Sequence, residues 1–291
     1  VEGSELQASV QTRVVVPANV RLQGEGARYA AVIRGAAASE PEDDYTNGVD
    51  AIRCVYLSAG ATIANFTLTD GHTTANGHGG AVYAANNTTA MVVDCLVSNN
   101  FGYAATLESG RIVRCRVVNN KATERSCLGE SGRYYGCFFD KSYSRIRPLY
   151  QPVSLDFCTL GSGNRVASGS QIIGPPSKMV MRNSVMVYGI IYQPYKVWAT
   201  NCVVNFAVSS FTDAYHCVSM SAANMKLSAD GVPTVDSPLN NAGDVALAPD
   251  CVNETDLDGV PRVLNGGVDA GAYEHDWRVE YKNDLGPRAT A

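Results

Sequence analysis

Apolar residues alternate with polar ones in short runs, and the runs recur along the chain. Seven segments share one pattern: a polar, aromatic or glycine residue, a small residue that is usually Cys, then alternating positions. They begin at Asp94-Cys95, Arg114-Cys115, Gly136-Cys137, Phe157-Cys158, Asn183-Ser184, Asn201-Cys202 and His216-Cys217. Successive copies stand 20, 22, 21, 26, 18 and 15 residues apart, and Asn65-Phe66-Thr67-Leu68 reads as an earlier copy. Alternation with period 2 predicts strands. It places Cys95, Cys115, Cys137, Cys158, Ser184 and Cys202 inward, with Val97, Val117, Phe139, Leu160, Met186 and Val204 two residues on. Leu96, Arg116, Phe138, Thr159, Val185 and Val203 then point outward.

A second strand class fills the same cycle. Leu107, Leu128, Leu149 and Ile172 follow one another at 21, 21 and 23 residues. Self-similarity near 20 residues marks a solenoid. A leucine-rich repeat would need several Leu per unit, whereas the recurring inward residues here are Cys, Val, Phe, Met and Leu. No stretch carries a helical period over about a dozen residues. Stacked coils with two or three strands each make an all-β fold, a right-handed parallel β-helix of about ten rungs. The reading is one domain over 1–276, with a C-terminal capping segment at 236–276 and a tail at 277–291.

Charge and composition narrow the function classes. A net charge of −5 argues against nucleic acid, whose phosphates favour basic surfaces. No apolar run approaches the length that spans a bilayer. The chain starts at Val1 with no signal-like apolar stretch, the expectation for a mature or excised fragment.

Nine cysteines at rung spacing, with no Cys-x-x-Cys, resemble neither a zinc site nor a disulfide framework. They are expected to stack as free thiols, each a small hydrophobe. No metal or other cofactor is called for. The acidic residues Asp256 and Asp258, and the loop Glu40-Pro41-Glu42-Asp43-Asp44-Tyr45, are the places where Ca²⁺ would find oxygen ligands. His72 and His78 flank a Gly-rich turn, are expected to be exposed, and lack a third ligand. His216 points outward by alternation and is assigned no role.

The most unusual stretch runs from Arg133 to Tyr150. It concentrates Arg133, Lys141, Arg145 and Arg147 with Tyr134, Tyr135, Tyr143 and Tyr150 in an acidic chain. Sugar rings stack on aromatic faces, and Arg forks pair with carboxylate or sulfate. Stacking the second strand class sets Glu108, Arg125, Glu130, Arg147 and Tyr150 on neighbouring rungs. With Arg133 and Arg145, these are the candidate residues of a lateral groove for an extended anionic polysaccharide. A lyase would need a base, and Lys141, Arg147 and Tyr150 are the candidates. A glycosidase would need two or three placed carboxylates.

The last third carries three ordered motifs: Asp236-Ser237-Pro238-Leu239-Asn240-Asn241-Ala242-Gly243-Asp244, Asp256-Leu257-Asp258-Gly259-Val260-Pro261-Arg262, and Val268-Asp269-Ala270-Gly271-Ala272-Tyr273-Glu274. With Gly79-Gly80-Ala81-Val82-Tyr83 and the early run Val14–Gly26, this triplet resembles the choice-of-anchor Q proteins. These are bacterial secreted or surface proteins with a pectin-lyase-like parallel β-helix. The resemblance implies architecture and a secreted or cell-surface location. It is nearly silent on activity. Residues 275–291 show no apolar anchor or sorting signal. Physically, Asp-Gly and Asn-Gly pairs favour tight turns, and Arg262 is expected to pair with Asp269 or Glu274. The functional expectation is a protein that engages polysaccharide, as a binder, lyase or glycosidase. The alternative is a non-enzymatic surface scaffold whose loops hold a partner protein.

Overall fold

The computed structural model describes residues 5–7, 9–42, 46–84, 89–102, 107–108, 110–123, 129–130, 132–145, 149–150, 154–166, 171–174, 179–187, 190–191, 196–247, 254–264 and 266–275. Three nine-stranded sheets run the length of a right-handed parallel β-helix, and a four-stranded sheet fills one corner. The rung at Arg111 shows the cycle. The strand Arg111–Val113 lies on the first face and Arg116–Val118 on the second. The short corner strand Lys121–Ala122 follows, and the chain reaches the third face at Gly129–Glu130. Two long segments inside the early rungs lengthen them, and among the described residues nine rung strands stack on the first and second faces and eight on the third, against the ten or so expected. On the third face Glu5–Gln7 folds back antiparallel onto Val10–Val16, covering that sheet's first edge.

The repeat is a corner device. The residue before each key Cys or Ser sits between the first and second faces with positive φ. The values are 51° at Asp94, 49° at Arg114, 60° at Gly136, 51° at Phe157, 48° at Asn183 and 51° at Asn201. A single left-handed residue turns the chain sharply, which suits Gly, Asn and Asp and strains Arg or Phe. The next side chain then points inward and donates to the carbonyl two residues back. Cys95 reaches Val93 O at 3.2 Å, Cys115 reaches Val113 O at 3.3 Å, and Ser184 reaches Arg182 O at 2.8 Å. A small residue with a γ donor is what this corner needs, hence the ladder of Cys and Ser. Cys95, Cys115, Cys137, Cys158, Ser184 and Cys202 are all fully buried, as expected. The seven described cysteines are free thiols.

A second ladder runs down the next corner. Asn100, Asn120, Ser142 and Asn164 are buried, and each lies one rung from the next. Asn120 Oδ1 accepts from the amide and the side chain of Asn100, both at 3.0 Å. Asn120 N donates to Ser142 Oγ and Ser142 N to Asn164 Oδ1, each at 3.2 Å. These side chains satisfy amides that the corner would otherwise leave buried and unbonded.

The expected outward positions of the second face need correction. Phe138, Thr159, Val185 and Val203 are buried, because the chain after Met220 returns along this flank. Phe138 packs with Leu257, Ala272 and Tyr273, and Val185 and Val203 pack with Met225, Leu239 and Ala270. Gly271 N donates to Asn183 O, and Ala272 N to Thr159 Oγ1. The segment expected to close the solenoid's end therefore straps its side. At the last rung Cys217 stays half-buried, and Val218 is 48% exposed. On the third face the register also differs by one residue at two rungs. Gly129 and Ile173 pair with Leu149 where Leu128 and Ile172 were expected.

Arg262 holds the strap together. Its guanidinium is fully buried over the Phe157 ring, with its carbon 4.9 Å from the centroid. It donates to Gly271 O, Ala272 O and Glu274 Oε1 at 2.9, 3.0 and 3.0 Å. Of the two expected partners, Glu274 is the one found. Asp269 instead accepts from the amides of Asn241 and His275.

Candidate binding groove on the first face

The first face presents its outward side chains in two columns. Four residues before each key Cys or Ser stand Met91, Arg111, Arg133, Ser154 and Val180, in register on successive rungs. Two residues before it stand Val93, Val113, Tyr135, Asp156 and Arg182. Neighbouring strands are about 4.8 Å apart, so Arg111 and Arg133 lie on adjacent rungs; among the described residues neither makes a close ion pair, and Asp156 attracts Arg133 from a distance.

These columns floor a groove of about 780 Å³, and the strap supplies its far wall through Leu247 and Glu254. Five arginines line it, at 21, 111, 114, 133 and 182, against the two carboxylates of Asp156 and Glu254. A cationic trough in a chain of net charge −5 concentrates its field on one flank. Tyr135 offers the aromatic surface, its ring edge-on to Phe157 at 5.7 Å. Asp156 stands beside Arg182 at 3.4 Å. Burial raises its carboxyl above the ordinary range, while Arg182 pulls it back. At the corner, Arg114 forms a fork on Asp94 at 2.8 and 2.9 Å and also touches Glu254.

The stretch 133–150 does not converge as the sequence suggested. One turn of the solenoid is about 20 residues, so contiguous residues spread around the girth. Arg133 lies in the first-face groove. Lys141 is exposed at the corner beyond the second face, with a φ of 51°. Arg145 is exposed beyond the corner strand Tyr143–Ser144. Glu108, Glu130 and Tyr150 do share a column on the third face, where their backbones pair rung to rung. Arg125 and Arg147 lie outside the described residues.

The other candidates resolve into structure. Asp256 is buried and spends its carboxylate on the amides of Asp258, Val260 and Glu274, leaving little for a cation. In the Glu40–Tyr45 loop, Glu40 and Glu42 are exposed, and 43–45 lie outside the described residues. Among the described residues no group of three or more His, Cys, Asp or Glu is placed to hold a metal. His72 is buried rather than exposed: it stacks on Phe101 at 4.6 Å, and its Nδ1 lies 3.2 Å from Thr46 Oγ1. No described helix is long and apolar enough to cross a membrane.

No family model matches the chain, and no curated protein matches it. The fold is thus fixed by the structure, and the likeness to choice-of-anchor Q proteins rests on the motifs quoted above.

Proposed function

We propose that this is a secreted or cell-surface protein that binds an extended anionic polysaccharide along the first-face groove. The observation that carries the reading is the rung-stacked pair Arg111 and Arg133. Two like charges side by side repel, and an anionic chain lying across the rungs relieves that repulsion. Arg182 adds a cation from the neighbouring column, and Tyr135 gives a sugar ring a face to pack on. Guanidinium forks recognise carboxylate and sulfate alike.

The test is titration of anionic and neutral glycans into the protein and into Arg111→Ala and Arg133→Ala. Each variant should lose about fivefold in affinity for the anionic chain, about 1 kcal/mol for an exposed charged contact. Rising salt should shrink the difference. Unchanged affinity in both variants would remove the groove from consideration. A second reading, hydrolysis of the bound chain, has its own observation: the raised Asp156 carboxyl shares the groove with Glu254, and glycosidases work with two carboxylates. New reducing ends, lost in Asp156→Asn, would select it. Absorbance from unsaturated uronates would select a lyase instead.

A further inference from the structure

We propose that Glu254 is a tethered competitor: its carboxylate occupies Arg114 in the empty groove, and an anionic ligand displaces it. The inference rests on the anionic-ligand reading and adds the residue that sets charge selectivity.

Arg114 has two unlike partners. Its Nε and Nη2 form a two-point fork on Asp94, the corner residue one rung away, at 2.8 and 2.9 Å. Among the described residues its Nη1 meets only Glu254. Asp94 is also approached by Arg28 at 3.4 Å, so its place is fixed from two sides. The Glu254 side chain has no partner but Arg114 among the described residues, and it is 38% exposed. Its backbone is anchored, because Glu254 O accepts from Arg262 N at 2.9 Å. A carboxylate on a fixed backbone, held by one single-point contact and half in water, can swing away at little cost. The two-point fork on Asp94 stays, so Arg114 remains placed while Nη1 turns to the ligand.

Displacement changes what the groove offers. With Glu254 on Arg114, the available cations of that rung reduce to Arg111. With Glu254 moved, Arg114 and Arg111 present charge from one rung, and Arg133 from the next. A neutral glycan has nothing to exchange for the carboxylate and leaves the wall closed. An anionic one replaces it charge for charge. Glu254 therefore discriminates between ligands by making entry conditional on a competing anion.

The experiment compares Glu254→Gln with Asp230→Asn. Asp230 also lies on the strap and loses the same charge, but it pairs with Arg116 on the second face, away from the groove. Calorimetric titrations use sodium sulfate, a polyuronate oligosaccharide of defined length and a neutral glucan oligosaccharide. Glu254→Gln should tighten sulfate and polyuronate by about two- to fivefold, the range of an exposed ion pair. It should leave the neutral glycan unchanged, and Asp230→Asn should change nothing. Adding Arg114→Gln to Glu254→Gln should abolish the gain. If Glu254→Gln matches Asp230→Asn on an anion that Arg111→Ala and Arg133→Ala place in the groove, the competitor role is wrong and the binding reading survives. A gain for sulfate without polyuronate binding keeps the competitor and removes the polysaccharide. No binding of either anion by parent or variant overturns both.

Discussion

Replacing Arg262 with Ala should release the strap and leave the solenoid standing. The side chain is fully buried, and its removal takes a donor from Gly271 O, from Ala272 O and from Glu274 Oε1. Breaking a buried ion pair by deleting one partner costs about 3–5 kcal/mol. Two features moderate that cost. Glu274 Oε2 keeps the amide of Asp269 at 2.8 Å. Burial also pushes the Glu274 carboxyl up to about 8 even against the pull of Arg262, so near pH 7 a proton on it limits the buried charge left when the guanidinium is gone. The expected loss is about 3 kcal/mol near pH 7, concentrated in residues 254–275. Its dependence on pH has a definite sign. A carboxyl held higher in the folded protein than its ordinary 4.5 contributes stability that is complete below that value and lost as pH rises through about 8. Without Arg262 the group moves higher still, so the deficit of the variant should stay level up to about pH 8 and grow above it. Hydrogen exchange reads this locally, at the amides of Gly271 and Ala272 that bond the second face. Exposure of Phe138, Val185 and Val203 should raise binding of a hydrophobic dye. Replacing both partners by Leu should recover only the charge part of the loss, because Gly271 O, Ala272 O and the Asp269 amide still lose their partners. Native-like protection of Gly271 and Ala272 in Arg262→Ala would refute the reasoning.

Two further outcomes follow from the ladders. Asn120→Ala should cost about 2–3 kcal/mol in urea unfolding, because the buried amide of Asn100 and the carbonyl of Val97 lose their partner; an unchanged midpoint would show that the ladder is dispensable. In native protein, iodoacetamide should label Cys217 ahead of the six fully buried thiols, with a rate rising around pH 7, because a hydrogen bond from Cys202 lowers that thiol to about 7; equal labelling of Cys54 or Cys137 would contradict the buried ladder.

The period of the Cys and Ser corner was readable from the chain alone, because a turn built on one left-handed residue and one small inward donor repeats from Cys95 to Cys217. The same residues show why Asn183 and Asn201 recur before the key position. The Asn ladder was also present as paired Asn at 99–100 and 119–120, spaced 20 apart, but it belongs to a corner with no apolar signature. A search by hydrophobic alternation passes over it. The register slip at Gly129 has a similar cause: the third-face strands are two residues long at most rungs, too short for alternation to fix which residue faces in.

The groove escaped for a different reason. A solenoid disperses the run Arg133 to Tyr150 around its circumference, and the stacked Glu108, Glu130 and Tyr150 belong to the third face rather than the first. Clusters in this architecture form down columns at the repeat distance. Counting four back from Cys115 and Cys137 gives Arg111 and Arg133, and counting two back from Ser184 gives Arg182. Counting one forward from Cys137, Ser184 and Cys202 gives Phe138, Val185 and Val203, three apolar residues on a face read as solvated. That column called for a cover, and the residues that supply it stand far along the chain, at Met225, Leu239, Leu257 and Tyr273. Glu254 lies within this cover, between the cysteine corner of Arg114 and the buried anchor of Arg262. The packing that hides one face thereby places a carboxylate on the next, and the groove's charge depends on an element that the repeat itself does not contain.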